Sequence, residues 1–355
     1  MVTTLIQPDA VVVGQRVAAA TTVLVRDGIV VALGHRGDAD HVARVSGCLL
    51  PGLIDLQMNG TGPNDVATAD APTLRAVARR VAAGGAAAFL PTLITDAFDV
   101  LLERLDVVAR WIETRAATAD EAAPLGVHLE GPFLREPGVH GAQHLIDPTP
   151  ERVDALLEAA RGQLALVTLA PSRPGAAAAV AQLRDAGVAV ALGHDRSAQG
   201  VDACVDAGAR LATHLFNAMG PMHHRSPGLA GMALDTERLL CSLIPDGIHV
   251  DAAMLRNAFR CLGPERTVLV TDSVAGDAVP RGPDGQLAGS TLSMAEAVAR
   301  WLRMVPWTTP ACLAQIAAHN PARILGRADL GQIEVGAPAR FALLDHAGDV
   351  SSFTP

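Results

Sequence analysis

The sequence contains no tyrosine, and aromatic residues make up only 3% of its 355 positions. A core must therefore be assembled from Ala, Val and Leu. Hydrophobic residues make up 50% of the chain, enough for one large barrel or two ordinary domains. Clustered positive charge is also missing. The net charge is -9 with no basic run, which argues against a nucleic-acid partner or an anionic membrane surface. No apolar stretch is long enough to span a bilayer. The opening residues, MVTTLIQPDA, lack a charged region followed by an apolar segment, so no signal peptide is read. The cysteines Cys48, Cys204, Cys241, Cys261 and Cys312 show no CxxC or paired spacing. They read as small core residues of a chain in a reducing cytoplasm.

Residues 1–50 carry short alternating runs (AVVVGQRV, TTVLVRDGIVVALG, ARVSGCLL) broken by Gly and by Asp27-Gly28, a hairpin signal. Similar texture returns in GQIEVGAPARFALLD, 331–345, which reads as strand-turn-strand. The expectation is a small antiparallel β domain built jointly from 1–50 and 330–355. Between them, 51–329 repeats strand then helix. Strands are predicted at 52–57, 86–94, 125–131, 164–171, 188–194, 210–216, 239–249 and 267–273. Eight strands with intervening helices predict an α/β chain folded as a (β/α)8 barrel, TIM-like. A doubly wound sheet is the alternative, and the lack of a Gly-rich turn after the first strand speaks against it.

The stretch LGHDRSAQGVDACVDAGARLATHLFNAM, 192–219, holds two apolar runs that end on His194 and His214, with a helix between them stopped by Gly208. Either histidine alone reads as a buried core residue. In a barrel, however, strand C-termini form one rim, and other polar residues fall there too. Gln57 and Asn59 follow the first strand, Glu130 the third, Asp246 and His249 the seventh, and Asp272 the eighth. Two imidazoles and a carboxylate form a catalytic zinc-type set with an open fourth position. Such a metal lowers the pKa of coordinated water to roughly 7. Asp272, isolated in VLVTDS, is the candidate general base and later acid; the alternative is a turn or helix-capping residue. Together these groups describe hydrolysis of an amide or ester.

The motifs PGLIDLQMNG, HLEGPFL, LGH, THLFNAM, RSPGLAG, DGIHVD, VTDS, LAGSTLSM and NPARILG span Pro51 to Asp345. They resemble the N-acetylglucosamine-6-phosphate deacetylase family of the amidohydrolase superfamily, with HLEGPF and THLFNAM the most specific. The resemblance implies a metal on Glu130, His194 and His214, with Asp272 as acid and base. Many relatives carry His-x-His on the first strand; Gln57 and Asn59 stand there instead. That implies one divalent ion per subunit, expected to be Zn2+. It also implies that Asn217 and Ala218 face a phosphorylated N-acetylamino sugar, with Asp246 and His249 beside the same substrate. Leu287, Ala288 and Gly289 would line the acetyl end. Arg225 would bind phosphate in the neighbouring subunit's site of a homodimer.

Two departures stand out. The family's Gly-Ala-His aligns with Gly141-Ala142-Gln143, so either His140 or His144 takes the histidine's place. Fourteen residues separate Asp272 from Leu287, where relatives insert extra strands, so a more open site is expected. The implied activity is deacetylation of N-acetyl-D-glucosamine 6-phosphate. The alternatives are another N-acyl or cyclic amide substrate, or a metal-free paralogue without catalysis.

Overall fold

The computed structural model describes residues 2–282 and 285–355. Eight parallel strands pair in chain order: β1 (Leu53–Met58), β2 (Ala86–Ile94), β3 (Val127–Glu130), β4 (Leu164–Leu169), β5 (Ala189–Leu192), β6 (Leu211–Ala212), β7 (Leu240–Leu243) and β8 (Thr267–Leu269). The ring closes just past the last two ends. Asp272 N donates to Gln57 O at 3.0 Å and Asn59 N to Ser273 O at 2.7 Å. The expected (β/α)8 barrel is therefore present. Several strands end sooner than expected, most of all β6 at Ala212, β7 at Leu243 and β8 at Leu269, and beyond β6 and β7 the chain turns. Those turns carry the polar residues of the rim.

Side-chain alternation sorts each strand into an inward and an outward face. Ile54, Leu56, Ala88, Leu90, Leu166, Ala191, Leu211, Leu240 and Val268 form the barrel's own core, and the intervening residues join the larger core under the helices. The helix Ala71–Ala83 shows why these segments coil. Leu74, Val77, Ala78 and Val81 recur on one face and are buried, and Asp70 caps the start by accepting from Thr73 N. A cap of this type is worth about 1 kcal/mol.

The terminal segments form one seven-stranded sheet, as expected from both ends of the chain. It is mixed, not purely antiparallel. Thr3–Val13 runs parallel to His41–Pro51, which pairs on its other side, antiparallel, with Phe341–Leu344. Asp27 and Gly28, with φ of 48° and 77°, make the expected tight turn between Val23–Arg26 and Ile29–Leu33. The strand-turn-strand reading of 331–345 is corrected. Its first half is irregular because Gly331 and Gly336 take positive φ and Pro338 cannot donate to a ladder. The hairpin is Phe341–Leu344 with Val350–Phe353 instead. Cys48, Cys204 and Cys241 are buried as expected, but Cys261 is exposed and Cys312 half-buried, and all are free thiols. Among the described residues, no helix is long and apolar enough to cross a membrane.

Candidate active site

Glu130 ends β3 facing inward, in step with buried His128 two residues earlier. His194 and His214 follow β5 and β6, and both have left-handed backbones, with φ of 51° and 32°. Such a conformation is uncommon for residues other than glycine and concentrates at functional sites. The outcome is a tight buried triangle. Glu130 Oε1 lies 2.7 Å from His214 Nε2 and 3.1 Å from His194 Nε2, and the two Nε2 atoms are 3.2 Å apart.

Proton placement suits this triangle to a metal ion. His194 Nδ1 lies 2.8 Å from the Glu136 carbonyl oxygen, which can only accept, so Nδ1 carries the hydrogen and Nε2 presents its lone pair. Three acceptor-bearing atoms thus face each other with at most one proton, on His214, between them. A cation relieves that crowding. Tetrahedral ligands at zinc distances stand about 3.3 Å apart, close to the spacings seen. Burial opposes ionisation of Glu130, yet the neighbouring His194 and His214 hold its carboxyl well below the usual range. Among the described residues this is the one three-residue cluster suited to a metal.

Asp272 faces the same cavity from beyond β8, its own backbone at φ 48°. Gln57 Nε2 and Asn59 Nδ2 both donate to its Oδ1, at 3.0 and 2.9 Å, and no protein donor is bound to Oδ2 among the described residues. The β1 amides therefore orient the carboxylate. Burial, reinforced by the negative charge of Glu130, pushes the Asp272 carboxyl up to about 7.

His140, not His144, enters the site. Its ring packs against His194 with centroids 4.7 Å apart, and Nε2 lies 3.8 Å from Glu130 Oε2. His144 points away, 4.0 Å from Asp96. From this loop Gly138, Val139 and His140 line the cavity, whereas Gly141 and Ala142, the substrate-facing pair implied by the family's Gly-Ala-His, do not. Gly141 caps a short 3-10 turn, Ala142–His144, that carries the chain away. The Thr95 backbone N–H donates to His140 Nδ1 at 3.3 Å, which leaves the ring proton on Nε2, toward the cavity. Burial, with a smaller contribution from the neighbouring His194, depresses His140 to about 3, so this imidazole stays neutral and acts as a donor. Thr95 Oγ1 lies 3.0 Å from the same Nδ1, and Gly131 leaves room for it: a Cβ on Gly131 would stand 2.1 Å from that oxygen.

These groups open into a cavity of about 510 Å³ lined also by Asn217, Ala218, His249, Leu287, Ala288 and Gly289. Asp246 does not line it. Its carboxylate accepts from His249 Nδ1 at 2.6 Å and so holds that ring in place. The short segment after Asp272 still reaches across the mouth, where Gln286 Nε2 donates to Gly138 O at 3.3 Å. Arg225 sits in an exposed loop outside the cavity of its own chain. Among the described residues no arginine lines the cavity, and the chain contains no lysine.

A model of the amidohydrolase family matches residues 48–354. The chain belongs to the amidohydrolase family. The N-acetylglucosamine-6-phosphate deacetylase of Lysinibacillus sphaericus is 30% identical to this amidohydrolase over 91% of the chain and 89% of the relative. The N-acetylgalactosamine-6-phosphate deacetylase of Shewanella sp. (strain ANA-3) is 32% identical over 90% and 86%, respectively. An aspartate-to-alanine variant of N-acetyl-D-glucosamine-6-phosphate deacetylase from Mycobacterium smegmatis, solved in complex with N-acetyl-D-glucosamine-6-phosphate, gives a TM-score of 0.91. It is 30% identical and covers 100% of this chain and 98% of that one.

Sequence reasoning missed Thr95, whose only signal was a polar residue after the long apolar strand β2. Thr95→Val should lower kcat of this amidohydrolase roughly 10–100-fold, the usual cost of losing an orienting partner. KM and metal content should stay near normal, and Thr95→Ser should restore the rate. Parallel measurement of kcat, KM and bound metal tests this; an undiminished kcat in the valine variant would show that the hydroxyl orients nothing.

Proposed function

We propose that this amidohydrolase removes acetate from N-acetyl-D-glucosamine 6-phosphate by metal-assisted hydrolysis. The observation that carries the reading is the Glu130, His194 and His214 triangle facing Asp272 across one cavity. A single divalent ion there, taken as Zn2+, would act as a Lewis acid on the amide carbonyl and on water. Asp272 uses its free Oδ2 to take the proton of the attacking water, Oδ1 being engaged by Gln57 and Asn59. Once the C–N bond breaks, the same carboxyl returns that proton to the amine. His140 donates from Nε2 to the carbonyl oxygen as negative charge builds on it. The β1 amides leave only three ligating residues, which favours one ion over two.

The names of the relatives support a phosphorylated amino sugar, yet among the described residues one chain supplies no fixed cation to its cavity. We assign that role to Arg225 of a second copy in a homodimer. A guanidinium pairs with two phosphate oxygens, and such a charge-assisted bond is worth roughly 1.5–3 kcal/mol. Arg225→Ala should therefore lose about one to two decades of kcat/KM on the 6-phosphate and almost nothing on plain N-acetylglucosamine. Equal loss on both sugars would overturn the phosphate reading. Mixing Arg225→Ala with His194→Ala subunits checks the geometry, because only an arginine acting across the interface lets the heterodimer recover one whole site. The galactosamine epimer is the second reading, favoured by similarly related N-acetylgalactosamine-6-phosphate deacetylases. Comparing both 6-phosphates decides between them. The proposal also takes 1–50 and 330–355 as one small domain flanking the 51–329 barrel, in a cytoplasmic enzyme.

A further inference from the structure

The underside of the barrel, opposite the catalytic mouth, holds a second cavity of about 170 Å³. Its walls come from the starts of the first barrel strands, Ile54, Ala88 and Leu125, and from the returning C-terminal chain, Leu330 and Arg340. Gly52 clamps that chain in place: a Cβ there would stand 2.5 Å from the Ala87 Cβ and 2.9 Å from the Arg340 carbonyl oxygen.

Arg340 is partly buried and has no carboxylate within ion-pair distance among the described residues. Its Nη1 donates to the Glu121 carbonyl oxygen at 2.9 Å, and Nε and Nη2 have no partner among the described residues. The nearby acids are already engaged. Glu121 pairs with Arg115 at 2.7 Å and with Arg75 and Arg79 at 3.4 and 3.7 Å. Asp329, the one acid lining the cavity among the described residues, is held by Arg327 at 2.7 Å. In a chain of net charge -9, this pocket edge keeps an uncompensated guanidinium. Burial and the neighbouring Arg115 both weigh against its charge, a cost that a bound anion would offset.

We propose that this cavity binds a short-chain monocarboxylate, with its carboxylate on Arg340 and its alkyl tail against Ile54, Ala88, Leu125 and Leu330. The apolar walls select a tail over a fully hydrated anion. Size agrees as well, since an apolar cavity of about 150 Å³ accommodates a benzene-sized molecule. The planar guanidinium fork matches a carboxylate through two parallel N–H donors.

Butyrate binding to the metal-loaded full chain tests the proposal, with isosteric butyramide and inorganic phosphate as controls. Saturation-transfer NMR and calorimetry should show saturable butyrate binding, at least tenfold weaker binding of butyramide, and no competition by phosphate. Arg340→Gln should abolish butyrate binding while deacetylase turnover stays unchanged. Ala123→Leu, which fills the cavity and keeps the arginine, should do the same and covers the case in which Arg340→Gln fails to fold. Butyrate binding that survives both substitutions but disappears in His194→Ala would place the carboxylate on the catalytic metal and overturn the assignment. Phosphate displacing butyrate from Arg340 would overturn the choice of a tailed carboxylate, and no saturable binding would overturn the site.

Discussion

Asp272→Asn should lower kcat by 10²–10⁴-fold, the range typical of losing a general base, while leaving the divalent ion bound. The substitution preserves size and can still accept from Gln57 and Asn59 through its remaining oxygen, so the cavity should keep its shape. What it loses is the atom that takes and returns the proton. The pH profile supplies an independent sign. Burial and then the charge of Glu130 raise the Asp272 carboxyl to about 7, so it protonates as pH falls through that range and stops being a base. Wild-type kcat/KM should therefore fall on the acid side. A cation on Glu130 offsets the second cause, so the metal-loaded enzyme should show this limb below 7. In the asparagine variant the limb should vanish with the rate. Near-normal turnover in that variant would move the proton transfer to another residue.

Removal of the metal should have a larger effect still. Water at a catalytic metal ionises near 7 instead of 15.7. Chelation should accordingly cut turnover by more than about 10⁴-fold, and one equivalent of a divalent ion per chain should restore it. His194→Ala should behave like the chelated enzyme and resist restoration, because Glu130 and His214 alone leave too few ligands. Stability should follow activity. The ion binds the folded triangle and not the unfolded chain, contributing about 4 kcal/mol when present at a thousand times its dissociation constant. Elemental analysis, thermal melting and turnover on one set of samples test all three statements. Two tightly held ions per chain, or a chelated enzyme of undiminished rate and stability, would refute the single-metal arrangement.

Much of this was legible in the chain itself. Period-two alternation along HLE turns His128 and Glu130 to one face, so the inward direction of the Glu130 carboxylate follows from the strand alone. The apolar runs and the helices between them specified the barrel, because a parallel strand buried on both faces has little room for polar residues. Polar residues at strand ends are for that reason informative in the sequence itself.

The histidines are different. Along β5 and β6 the inward positions are Ala191 and Leu211, then Gly193 and Thr213; Thr213 Oγ1 meets Thr168 Oγ1 at 2.8 Å inside the barrel. Strict alternation would aim His194 and His214 outward. They reach Glu130 only because each backbone enters the left-handed region, held there by contacts from distant segments. Arg135 N and Glu136 N donate to His194 O at 3.1 and 2.8 Å, and Ser242 Oγ accepts from His214 N at 2.7 Å. The choice of His140 over His144 likewise rests on Thr95, which lies 45 positions away. Composition, periodicity and strand-end chemistry were local properties that the sequence determined by itself. The convergence of the ligands and the placement of their protons were left to the tertiary structure, because both depend on strained backbones and hydrogen bonds between residues far apart in the chain.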